Sequence, residues 1–91
     1  MDMYRLPRER YAELHGYCMR GVNEEIREAL RRTDCGALAD WIERHVCEKD
    51  WRWARMEARG IPCNGDTFRV YRAKFYYMLD KILSEEGETG K

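Results

Sequence analysis

Trp51-Arg52-Trp53-Ala54-Arg55-Met56-Glu57-Ala58, the break Arg59-Gly60-Ile61-Pro62-Cys63-Asn64-Gly65-Asp66 and the run from Thr67 to Leu83 decide the fold. In the last run Phe68, Tyr71, Phe75, Met78, Leu79 and Ile82 recur at spacings of three and four, so they share one face of a long helix. Asn64, Asp66 or Thr67 supplies its N-terminal cap, because each can accept a hydrogen bond from an unpaired N–H of the first turn. Gly60 ends the preceding helix, and Pro62 forbids its continuation. A short helix over residues 51–59, capped by Asp50, is therefore predicted before the break. Trp51 and Trp53 are two positions apart and cannot share a helix face, so one packs inward beside Ala54 or Met56. Short helix, turn and longer amphipathic helix make the outline of a helix-turn-helix unit.

The same arithmetic works upstream. Pro7 suits a helix start, Glu9 complements its positive end, and Tyr11, Leu14 and Cys18 fall on one stripe, which predicts a helix over residues 7–20. Gly16 inside it would permit a close helix crossing, and Gly21 would stop it. Asn23 caps a second helix with Glu24 and Glu25 in its first turn and Arg31 and Arg32 in its last; Val22 would staple it, and Ile26, Ala29 and Leu30 form its apolar face. Leu38, Trp41, Ile42, His45 and Val46 cluster on one side of a third helix over residues 37–48, with His45 as a half-buried core histidine. The expected architecture is all-α. Residues 1–83 form one small bundle of four to five helices, with the helix-turn-helix-like unit at 51–83, and the polar residues 84–91 form a flexible tail.

Basic and acidic residues balance at 17 each, so no global field attracts nucleic acid, and zero net charge argues against wholesale DNA mimicry. Any basic face must be local. Arg52, Arg55, Arg59, Arg69, Arg72 and Lys74 supply one: between residues 52 and 74 they face only Glu57 and Asp66. No leader-like segment or membrane-length apolar run is visible, so a cytoplasmic protein of a bacterial cell, without membrane contact, is expected. Cys18, Cys35, Cys47 and Cys63 lack a Cys-x-x-Cys pair and read as reduced, semi-buried small residues, with no metal or other cofactor expected. No nucleophile–base pair, phosphate-binding glycine loop or paired carboxylates can be read, so a non-enzymatic binding function is expected.

A recognition helix meets base edges with its first turns, while neighbouring cations hold phosphates. Asn64, Thr67, Arg69 and Arg72 stand in the first role; Arg52, Arg55, Arg59 and Lys74 stand in the second. Against this, two helices joined by a turn are common in any all-α domain, exposed arginines also solubilise, and the interval 60–66 is longer than in compact helix-turn-helix units.

The opening Tyr4-Arg5-Leu6-Pro7-Arg8-Glu9-Arg10-Tyr11-Ala12-Glu13-Leu14 with Tyr17-Cys18, and the closing Gly60-Ile61-Pro62-Cys63, Phe68, Tyr71-Arg72, Phe75-Tyr76 and Leu79, resemble small prophage and mobile-element proteins of Gram-positive bacteria described as phage regulators of the RinA/ArpU kind. The resemblance covers both ends and leaves the middle different. It implies a sigma-like helix-turn-helix at the C-terminus, an accessory transcriptional regulator that binds duplex DNA, and Asn64, Thr67, Arg69 and Arg72 as DNA-facing residues.

A second class stays open: a small mobile-element inhibitor of the anti-CRISPR type, blocking the nucleic-acid site of a host nuclease. It would use Glu24, Glu25 and Glu28, or Asp80, Glu85 and Glu86, as phosphate mimics, or Trp51, Trp53 and Tyr76 as groove-filling anchors. The aromatic-rich surface also leaves room for a homodimer.

Overall fold

A computed structural model describes the backbone of residues 5–89 and the side chains of residues 5–85. The first four residues of the lead-in and the last two of the expected tail lie outside the described residues. Five helices follow one another: α1 Arg8–Cys18, α2 Glu24–Thr33, α3 Ala39–Cys47, α4 Trp53–Ala58 and α5 Gly65–Thr89. A 3-10 turn, Gly36–Leu38, leads into α3, where a single helix over 37–48 was expected. No strand occurs among the described residues, so the chain is all-α as its spacing predicts. No helix among them is long and apolar enough to cross a membrane.

α5 is the axis of the bundle. Its stripe buries Phe68, Phe75, Leu79 and Ile82, with Tyr71 and Met78 half-buried beside them. Each fully buried large side chain contributes about 1.5–3 kcal/mol of apolar transfer energy. α2 packs along α5 more extensively than any other pair of elements meets, laying Ile26, Ala29 and Leu30 against the core. α1 adds Leu14 and Cys18, and α3 adds Ile42 and Val46. Tyr76, expected to point away from the core, is buried. α5 has neighbours on two sides, and Tyr11 of α1 meets the Tyr76 ring edge-on at 5.7 Å, so its buried arc is wider than one stripe. Tyr76 is therefore no surface anchor.

Local signals set most of the ends. The Asn23 side chain accepts from the Ile26 N–H at 2.9 Å and its amide donates to the Tyr17 hydroxyl at 2.8 Å, tying the α1–α2 corner. Val22 does not staple that corner; it is 38% exposed. Gly16 is exposed with nothing within 4 Å of a Cβ built on it, so no helix crosses closely there. Thr33 is fully buried, and its hydroxyl donates to the Ala29 carbonyl at 2.6 Å, which satisfies the group inside the helix.

The connector between α4 and α5 is built, not loose. Gly60 has φ 86°, its N–H donates to the Glu57 carbonyl, and the Ile61 N–H donates to the Met56 carbonyl, both at 3.1 Å. This is a Schellman closure, and its usual apolar contact is supplied by Met56 and Ile61, both buried. Asn64 then caps α5, accepting from the Thr67 N–H at 2.8 Å. Asp50 caps nothing. α4 starts at Trp53 with Arg52 in the N-cap position and no side-chain cap, because Trp51 is withdrawn into the core and the helix begins only beyond it. At the other end α5 continues to Thr89, past the expected boundary at Leu83.

Candidate anion-binding surface

The candidate residues fall into two groups. The first gathers on Trp51, a residue only 8% exposed. Guanidinium carbons of Arg44, Arg55 and Arg59 lie 5.0, 4.7 and 5.7 Å from its centroid, and Trp41 meets its edge at 6.2 Å. Arg55 and Arg59 come from one face of α4, as their four-residue spacing dictates; Arg44 comes from α3. The guanidinium groups themselves lie over the indole, the three arginines remain exposed, and each such cation is favourable by about 0.5–1 kcal/mol at exposed sites. The three charges sit within roughly a Debye length of one another at 0.1 M salt. None of them makes an ion pair among the described residues. Arg52 is exposed beside them at the start of α4.

The second group surrounds the first turns of α5. Arg69 and Arg72 together line two clefts. One, of about 360 Å³, is completed by Tyr11, His15, Ala73 and Tyr76; the other, of about 260 Å³, by His45, Trp53, Gly65 and Phe68. Arg69 is exposed and lies 3.5 Å from Asp66, an almost fully exposed pair of small energetic weight. Arg72 is half-buried and donates to His45 Nε2 at 3.1 Å.

His45 explains why that contact has a fixed sense. Its Nδ1 lies 2.7 Å from the Trp51 carbonyl, which can only accept, so Nδ1 carries the proton and the Nε2 lone pair receives Arg72. Burial lowers the imidazole pKa, the charges of Arg72 and His15 lower it further, and the Trp51 carbonyl opposes them. The ring also stands edge-on to Phe68 at 5.1 Å. His45 is thus the half-buried histidine the spacing predicts, and it holds one candidate arginine in place.

The remaining sequence candidates are dispersed. The Asn64 carbonyl oxygen is committed to the α5 cap, while Thr67 is exposed. Lys74 is half-buried, and its charge acts on the Cys35 thiol, away from the paired clefts. Trp53 is half-buried against Phe68, with ring centroids 5.7 Å apart. Sequence reasoning missed Arg44, Tyr11 and His15. Arg44 follows Trp41 by three, so a shared Trp/Arg face on α3 was the one available signal.

The acidic patch weighed for phosphate mimicry does not stand alone. Glu28 accepts from Arg32 at 2.9 Å and from Arg31 at 3.1 Å, and these two bonds hold its carboxyl below the usual range. The cleft it lines between α2 and α5 also carries Arg27. The four cysteines are free thiols; burial pushes Cys18 up to about 12 and Cys47 to about 11, so both stay protonated at neutral pH. No three His, Cys, Asp or Glu side chains converge as a metal site among the described residues. No protein-family model matches the chain, and no significant match is found among curated proteins or solved structures.

Proposed function

We propose that this protein is a non-enzymatic DNA-binding protein, an accessory transcriptional regulator of a phage or mobile element, that holds the phosphate backbone with Arg44, Arg52, Arg55 and Arg59. One observation carries the reading: three arginines converge on Trp51 without an ion pair to any carboxylate among the described residues, although Asp40 lines a cleft with Arg44, in a chain that holds as many acids as bases. Their mutual repulsion is a standing cost that bound phosphates would remove, and arginine's planar fork suits phosphate oxygens. The exposed side of the first α5 turns, Thr67, Arg69 and the 58% exposed Val70, offers polar and methyl groups of the kind that read base edges. The resemblance of both chain ends to phage regulators supports the same reading. The inhibitor alternative is less well supported, because its acidic cleft is interleaved with arginines.

The test is fluorescence anisotropy on duplex DNA across a salt series. Affinity falls steeply with salt. Each phosphate neutralised by a cation adds roughly 0.9 to the slope of log affinity against log salt, so Arg55→Gln with Arg59→Gln reduces that slope by about 2. No duplex binding at low salt, or an unchanged slope in the double variant, refutes the reading.

A further inference from the structure

Arg72 carries a second, separate signal. It is half-buried, its partner is a neutral imidazole, and it makes no ion pair among the described residues. A guanidinium taken partly out of water normally meets a carboxylate, since a desolvated charge without a counter-ion is costly. Here only one of its donors is used, and the contact fixes its direction: Trp51 carbonyl to His45, His45 to Arg72. A second guanidinium, Arg69, lines the same two clefts, and neither cleft is lined by an Asp or Glu. The walls are aromatic, with Tyr11 and Tyr76 on one side and Trp53 and Phe68 on the other.

We propose that these paired clefts bind a nucleoside monophosphate, with its phosphate on Arg69 and Arg72 and its base against the aromatic wall of one cleft. The chemistry follows from the lining. Two guanidiniums, whose one nearby acid among the described residues is the exposed Asp66 beside Arg69, favour a dianion and match phosphate oxygens in a bidentate manner. The flanking rings favour a flat apolar group attached to that anion over a bare ion. The larger cleft, at about 360 Å³, falls at the lower end of the roughly 300–1,000 Å³ typical of small-ligand sites. The ligand is either a free nucleotide or the 5′-phosphorylated end of a nucleic-acid strand; both present the same group. This site shares Arg69 with the duplex reading but does not rest on it, because the phosphate contacts of that reading are the arginines around Trp51.

Calorimetric titration of the whole chain tests it, using AMP, adenosine, inorganic phosphate and a 5′-phosphorylated pentanucleotide. AMP binds saturably, whereas adenosine and inorganic phosphate bind at least about tenfold more weakly, as expected when one charge-assisted contact or one stacked ring is missing. Arg69→Ala, an exposed change with little bearing on folding, weakens AMP by about tenfold, and Arg72→Gln weakens it at least as much. Arg55→Gln with Arg59→Gln leaves AMP binding unchanged while altering duplex binding. Wild-type NMR spectra show AMP moving the His45 imidazole and Trp53 indole resonances, which keeps the test open if Arg72→Gln fails to fold. If the pentanucleotide binds more tightly than AMP, the ligand is a strand end; if AMP binds more tightly, it is a free nucleotide. Absence of saturable binding by both, equal binding of adenosine and AMP, or AMP affinity unchanged in Arg69→Ala overturns the proposal.

Discussion

Arginine does opposite things on two sides of this molecule. Along α2 and at the α1–α5 junction most cations meet an acid: Arg31 and Arg32 on Glu28, Arg10 on Glu13 and Asp80, with the exposed Arg27 outside these pairs. Around α4 and the start of α5 the partners are an indole, an imidazole and, for Arg69 alone, a wet carboxylate at 3.5 Å. Net charge hides this, because it counts acids and bases without regard to which of them meet. The paired side is explained by helix geometry at spacings of three and four. The unpaired side is not: Arg44, Arg55 and Arg59 rest on the Trp51 ring and Arg72 on His45, none of them within ion-pair distance of a carboxylate among the described residues. The contrast separates cations held by neighbouring acids from those on which the proposed binding rests.

The largest effect comes from the buried side, where binding plays no part. Phe75→Ala removes a fully buried ring at the centre of α5 and costs about 3–5 kcal/mol, measured by urea unfolding. For a domain with a total of about 5–15 kcal/mol, that brings the chain close to unfolding at 37 °C. Val70→Ala, on the exposed face of the same helix, changes stability by less than about 0.5 kcal/mol. Equal costs at the two positions would mean that α5 is turned differently about its axis.

The next effect probes the boundary between the two sides. His45 is neutral when it accepts from Arg72, and its folded pKa lies below the ordinary value near 6.5. The unfolded chain therefore takes up the proton more readily. Stability from this group is fully present above about pH 6.5 and is lost as pH falls through the lowered folded value. Thermal melting points recorded from pH 8 to pH 5 should drop across that window beyond the loss due to carboxylates. In His45→Asn, which keeps a donor for the Trp51 carbonyl, that extra drop disappears. A drop that persists in the variant would place the titrating group elsewhere.

How far the sequence carried follows from the range of each interaction. The α5 stripe, the Asn23 cap and the Gly60 stop are set by neighbours within four residues, so spacing alone revealed them, while for the α5 cap it left Asn64, Asp66 and Thr67 open and the structure selects Asn64. The Asp50 cap failed because Trp51 is drawn inward by α3 and α4, which shifts the helix start. Tyr76 failed because burial on α5 depends on α1, whose side of contact no periodicity states. Arg55 and Arg59 were visible as a stripe, but Arg44 completes their cluster from another helix. Only the tertiary fold could separate Arg55 and Arg59 from Arg69 and Arg72, or show that His45 orients one of them.

The smallest effects separate the two kinds of arginine by sign. Asp80→Asn removes the charge that faces Arg10 across α1 and α5, yet it keeps an acceptor in place, and Glu13 still lies 3.0 Å from the guanidinium. Both members of the pair are partly exposed, so the loss is about 0.5 kcal/mol or less at low salt, and it shrinks as salt screens the attraction. Arg55→Gln with Arg59→Gln loses two stacked cations worth about 0.5–1 kcal/mol each, but relieves repulsion within the cluster on Trp51. At low salt these terms offset and stability changes by less than about 1 kcal/mol. Raising salt screens the repulsion in the wild type but leaves less to screen in the double variant, so here the wild type gains relative to its variant. Urea midpoints of the two variants against wild type, taken at 20 mM and 500 mM chloride, therefore shift in opposite directions. If both differences shrink with salt, the cluster on Trp51 is as well neutralised as the α1–α5 pair, and its arginines have no claim to be waiting for an anion.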